Sequence, residues 1–281
     1  MRIYLNISLF FVISIIYSGQ TVSVDSTFFF PTSRSIDQAR LESLNQCRKI
    51  VIDKVVPKKT LVAANSMLEK MESDGLYKEN AAFTSFHNST SIGYIVDEQI
   101  LKANPKGFVD NGFSYHISYR AEVVIPSGER DPSMNISIWP ESRSLNSGES
   151  LVLNVESTMD GYIYILHFLP DQSVEIMFPN KYFTDNRLMK DQIKKFPNDE
   201  RIKIRLTTLP DQLMTSETFY AVFCKKEIPE MSEIIQVNSS GGRITAGDKS
   251  FKNFQSLLAN IPLSYRSEAA CQVIVVGGDR N

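Results

Sequence analysis

Two periodicities divide this chain. From Ser35, the run SIDQARLESLNQCRKIVIDKVV sets Ala39, Leu44, Cys47 and Val51 at steps of five, three and four residues, which leaves them on one face of a helix while Arg40, Glu42, Arg48 and Lys49 face water. Ser35 or Asp37 stands where that helix needs a cap. TLVAANSMLEKME, residues 60–72, predicts a second helix with a thinner apolar stripe. The period then falls to two. In SYHISYRAEVVIP, Tyr115, Ile117, Tyr119, Ala121, Val123 and Ile125 alternate with His116, Ser118, Arg120 and Glu122, which is the pattern of a half-buried strand. IGYIVDEQIL, residues 92–101, reads as its partner, and NPKGFVDNG, residues 104–112, as the loop between them. A helix on an antiparallel sheet, an α+β domain, is expected over residues 35–126.

PSGERDPS, residues 126–133, holds two prolines, a glycine and no large apolar side chain, and predicts a linker over 127–133. Short strands follow: MNISIW, SLVLNVES, GYIYILHF, SVEIMF, RIKIRL, FYAVFC and CQVIVV, separated by turn residues such as Asn146-Ser147-Gly148. Their number and spacing predict an all-β antiparallel sandwich over 134–276, with one helix near Phe251–Leu258. GYIYILHF is apolar on both faces, Tyr162, Tyr164, Leu166 and Phe168 on one and Ile163, Ile165 and His167 on the other, as a central strand requires. SVEIMFPN is expected to turn Val174, Ile176 and Phe178 toward the core. It stops where Pro179 removes a backbone donor, with Asn180 closing the corner and Tyr182 and Phe183 covering the end.

The first residues carry an address. Met1-Arg2, the apolar run LFFVISIIY over residues 9–17 and the small pair Ser18-Gly19 predict a signal peptide over 1–19, with a mature start between Gly19 and Val22. A retained anchor is the alternative, and no transmembrane span is expected after cleavage. Localisation is then periplasmic or secreted.

At 281 residues and 42% hydrophobic content the chain has material for two modest cores. The net charge of −2, with Lys58-Lys59, Lys194-Lys195 and Lys225-Lys226 scattered among acids, argues against nucleic acid as a partner. Three cysteines, Cys47, Cys224 and Cys271, leave at least one unpaired. Cys224 and Cys271 could join if their strands are neighbours, and buried free thiols are the plainer reading.

Candidate chemistry is sparse. His87, His116 and His167 are the only histidines, without a Gly-x-Ser-x-Gly elbow, a His-x-x-x-His pair or a Cys-x-x-Cys pair. GGRITAGDKS, residues 241–250, suggests a phosphate loop until Asp248 intrudes between Gly247 and Lys249 and sets a carboxylate where an anion would sit. No catalytic residue, cofactor or metal ligand is predicted.

SIWPESRSLNSGESLVLNVESTMDGYIYILHFLPDQSVEIMFPNKYFTDN, followed by ETFYAVFCKKEIP, resembles the domain-of-unknown-function 4384 family. That family has a Ser-x-Gly-Glu turn, an Asp-Gly-Tyr-x-Tyr strand and a strand ending in Phe-Pro-Asn, in this order. The resemblance covers residues 134–230, extending toward 276, and implies an immunoglobulin-like sandwich in an exported bacterial protein. ARLESLNQCRKIVIDKVV, GYIVDEQI and YHISYRAEVVI resemble the amino-terminal domain of flagellar T-ring assembly proteins and related outer-membrane lipoproteins. Together these imply a non-catalytic binding or scaffolding module of the cell envelope with an envelope protein as partner. The alternatives are a sensor-like domain for peptide or glycan and an accessory envelope hydrolase.

Overall fold

Alternation starts earlier in the chain than residue 35. In VSVDSTFFF, Val24 and Phe30 are buried and Val22 and Phe28 half-buried on one face, so the stretch forms a strand, β1 (Gln20–Pro31). Three successive phenylalanines hide that pattern from a periodicity count. The computed structural model describes residues 19–56, 83, 86–87, 93–109, 111–169, 173–180, 183–199, 201–228, 244–245 and 249–277. The predicted helix at 60–72 and the signal peptide before Gly19 lie outside the described residues.

Helix α1 (Ile36–Val55) begins on a capping box: the Ser35 hydroxyl accepts from the Gln38 backbone N–H, and the Ser35 N–H donates to the Gln38 side chain. Ala39, Cys47 and Val51 are buried, as the stripe predicts. They lie over a three-stranded antiparallel sheet of order β1-β3-β2, with β2 (Tyr94–Val109) and β3 (Gly112–Val124). The expected loop over 104–112 is mostly strand. Three register shifts in β2, the last between Pro105 and Phe108 where Gly107 has a φ of 119°, absorb the proline and glycine as irregularities without ending the ladder. Arg48, expected to face water, instead reaches β2 and makes a bidentate pair with Glu98, whose Oε2 also accepts from the Tyr119 hydroxyl at 2.6 Å.

Beyond the linker come β4 (Ile136–Pro140), β5 (Ser144–Asn146), β6 (Ser150–Leu151), β7 (Leu153–Ser157), β8 (Gly161–Phe168), β9 (Ser173–Phe178) and β10 (Arg187–Leu188). Then follow β11 (Lys194–Phe196), β12 (Ile204–Arg205), β13 (Met214–Cys224), β14 (Ile244–Thr245), a helix α2 (Lys249–Asn260) and β15 (Arg266–Val276). The larger sheet has seven strands in the order β14-β9-β8-β13-β15-β5, with β10 beside β8. A smaller sheet runs β11-β7-β4. The two share a core in which Ile136, Ile138, Leu153 and Val155 meet Ile163, Ile165, Phe219, Phe223 and Val273. The chain is thus mostly β, with several sheets and an amino-terminal helix.

The antiparallel expectation needs one correction: β5 runs parallel to β15. RIKIRL contributes only Ile204 and Arg205 to a strand. The far face of the large sheet is also covered. Tyr164, Leu166, Phe168, Tyr220 and Val222 pack against Leu258 of α2 and against Phe83 and Phe86, which precede β2 in the chain. β8 and β13 therefore serve two cores, one on each side, which is why GYIYILHF and FYAVFC carry apolar residues on both faces. The 127–133 linker is better held than its composition suggests: Arg130 donates to Glu268 at 2.8 Å, Asp131 accepts from Lys225 at 2.7 Å, and the Ser127 carbonyl accepts from the Leu263 N–H. Among the described residues, no helix is long and apolar enough to cross a membrane.

Candidate functional site

An apolar strand with a histidine in it must give the ring partners, and here both come from neighbouring strands. β8 lies between β9 and β13, which brings Glu175 opposite His167 on one side and Phe219 opposite it on the other. The ring lies flat on Phe219, centroids 4.5 Å apart. Nδ1 is 2.9 Å from Glu175 Oε1, and Nε2 is 2.5 Å from Oε2 of Glu217, two residues before Phe219 on the same face of β13. His167 and Glu217 are buried, while the Glu175 side chain is 42% exposed, so the row opens to solvent at one end only.

Two carboxylates accepting from one ring require a proton on each nitrogen. Burial by itself drives the proton off His167, but the hydrogen bonds it donates to Glu175 and Glu217 and the charges of those carboxylates outweigh it and raise the imidazole pKa above 6.5. A raised pKa contributes stability that is complete below 6.5 and is lost as pH climbs through the folded value. Denaturant midpoints should therefore fall as pH rises from neutrality, and His167→Gln should flatten that slope; an unchanged slope in the variant would remove the imidazolium from the account. Chemically, a ring that donates from both nitrogens has no lone pair left to take a proton from a substrate. The arrangement clamps β9 and β13 to β8.

A second ionic row lies on the other face. Arg266 and Glu268 are buried side by side in β15, Nη1 to Oε1 at 2.6 Å, and Arg130 reaches the other carboxylate oxygen at 2.8 Å. Burial pushes the Glu268 carboxyl up, but Arg266, Arg130 and the nearby His87 hold it down at about 2. It is therefore an anion fixing the linker to the sheet.

The Phe-Pro-Asn stretch is the corner the sequence indicates. Asn180 donates from its side-chain amide to the Met177 carbonyl at 2.6 Å and accepts from the Phe183 N–H at 3.0 Å. Phe183 packs partly buried against the core, while Tyr182 lies outside the described residues. Asn180→Ala should cost about 1 kcal/mol, measured by denaturant unfolding. One expectation fails here. Val174 and Ile176 face the Tyr164 side, whereas Phe178 turns into the core between the sheets, because the pairing slips between Ile165 and Leu166 and inverts the alternation.

The remaining sequence candidates disperse. His87 is buried against Phe83 and Tyr220. His116, expected on a polar face, is buried there beside Thr27 and Ser118, because β1 covers that edge of β3. Cys224 and Cys271 stand in neighbouring strands on opposite faces, in different cores, and do not pair; Cys47 is free as well. Burial pushes the Cys47 thiol up to about 11 and Cys224 up to about 12, which keeps both protonated. Among the described residues, no three His, Cys, Asp or Glu side chains converge to hold a metal. Most of GGRITAGDKS lies outside the described residues. Sequence reasoning missed Glu175, Glu217, Arg266 and Glu268. Its one available signal was Glu217, a charge immediately ahead of the apolar run FYAVFC, in a strand that is buried from Thr215 to Cys224 with Glu217 included.

Fold and site together define a β-rich protein whose large sheet is stapled by buried ions on both faces. Residues 144–227 match the family model described as domain of unknown function (DUF4384). The matched span runs from β5 past the end of β13, so it includes His167, Glu175, Glu217 and Asn180 and leaves out Arg266, Glu268 and the amino-terminal unit. No curated protein matches the chain.

Proposed function

We propose that this is an exported cell-envelope protein that acts by binding or scaffolding without catalysis, and that residues 134–276 form an immunoglobulin-type sandwich. The observation that carries the reading is the state of the ionisable groups: His167 donates to two carboxylates and holds three strands together, while Glu268 is held between two arginines and fixes the linker to the sheet. Such an interior is built for rigidity, and loops and edges then carry recognition. Export is supported by the apolar run over 9–17 and the small pair Ser18-Gly19 that follows it. The core shared between the two sheets supports the sandwich.

The decisive experiment is cross-linking in intact cells followed by fractionation. A specific envelope protein captured on the chain supports scaffolding, including the flagellar-assembly form of that reading. A soluble peptide or glycan that raises the melting temperature, with nothing captured, favours the sensor-like domain. Turnover of peptide or glycan libraries favours the accessory hydrolase. Mass spectrometry of the exported form tests the address: an amino terminus between Gly19 and Val22 is expected, and an intact Met1 in the membrane fraction overturns it.

A further inference from the structure

The amino-terminal sheet has two outer strands, and they are protected very differently. β2 carries three register shifts, with Lys102, Pro105, Lys106 and Gly107 within it, which are devices that stop an edge from pairing. β1 has none of them. Its partners on β3 run without a shift from Gln20–Val123 to Pro31–Gly112, it has no lysine, arginine or internal proline, and its one charge, Asp25, is hydrogen-bonded sideways to Ser118. Among the described residues no strand pairs with its outer side. The Thr32 N–H just past its end donates inward to the Asn111 carbonyl, so the backbone groups of odd-numbered residues such as Ser23 face outward, where the Ser23 carbonyl accepts from the exposed Lys54 ammonium at 3.4 Å.

We propose that β1 is an interaction surface for a second copy of this chain, the two β1 strands pairing antiparallel about a twofold axis at Ser26. A self-complementary strand edge is what a twofold interface requires. Opposite residues of an antiparallel pair share a face, so register selects the fit. Centring on Ser26 sets Val22 against Phe30 and Val24 against Phe28 on the α1 side. These are pairs of β-branched and aromatic side chains, and Val22 and Phe28 are left half-buried in the single chain. The same register places Asp25 opposite Thr27, whereas centring on Asp25 would oppose the two carboxylates. With Ser23 pointing outward, Ser26 falls in a non-hydrogen-bonded pair, where Cβ atoms approach most closely. The inference rests on the edge geometry and is independent of the scaffolding reading.

The test uses the protein purified as the cell makes it, by sedimentation equilibrium and non-reducing electrophoresis. The wild type is expected to sediment as a dimer, Ser23→Lys and Phe29→Lys as monomers, and Leu101→Lys on the β2 edge as a dimer still. Ser26→Cys should form a disulfide-linked dimer under mild oxidation, while Ser23→Cys, which has no symmetry mate opposite it, should not. Circular dichroism of each variant separates lost pairing from lost folding, and the Ser26→Cys link needs no destabilising change. A wild type that stays monomeric with no Ser26→Cys link, a dimer indifferent to Ser23→Lys and Phe29→Lys, or capture of a different protein's strand on β1 overturns the proposal.

Discussion

Phe178→Ala is expected to lower the stability of the chain by about 3–5 kcal/mol, the cost of removing a large ring from a packed interior. The ring is 2% exposed and its centroid lies 4.1 Å from that of Phe196 in β11, so it joins the large sheet to the small one. Its neighbours in that core include Ile165, Leu153 and Val155, held in strands on both sides. Denaturant unfolding should show a lower midpoint at unchanged slope. A loss close to that of Asn180→Ala would mean that the corner, and not the ring, is what the Phe-Pro-Asn stretch contributes.

Glu268→Gln should be comparably damaging, about 3–5 kcal/mol, because breaking a buried charge cluster leaves the partners behind. The substitution keeps the size of the side chain but removes the charge facing the fully buried Arg266 and the half-buried Arg130, and it turns one acceptor oxygen into an N–H donor that meets a guanidinium. The double variant Arg266→Met with Glu268→Leu should recover much of the loss, since Arg130 can turn to water. Acid makes the same change reversibly. A depressed carboxyl contributes stability that is complete above 4.5 and is lost as pH falls toward about 2, so the wild type should lose part of its midpoint in that window while Glu268→Gln does not. Equal acid sensitivity in both proteins would place the titration elsewhere.

How far the sequence speaks depends on whether local pattern or distant partners decide. Helix α1 with its Ser35 cap, the alternation of β3, the two-faced β8 and the Asn180 corner are local events, and the residues that make them announce them. The DUF4384 resemblance was legible for the same reason, as an ordered set of short local signals, and its core span is the one that matches. What was not legible arises across strands. Arg48 reads as a solvent residue by helical spacing and becomes a bidentate partner only because β2 sets Glu98 beneath it. His167 reads as packing because its two carboxylates lie 8 and 50 positions away. The switch of Phe178 to the opposite face needs a pairing slip that no alternation in β9 itself records.

The position of β1 also sets an order of assembly. A chain that emerges amino terminus first exposes β1 about 90 residues before the strand it pairs with: Thr27 meets His116 across 89 positions. Helix α1 closes on local contacts in the meantime, whereas β1 and β2 both wait for β3 to arrive between them. Until then the Phe28-Phe29-Phe30 run is bare, which makes the nascent amino terminus the segment most in need of a holding chaperone.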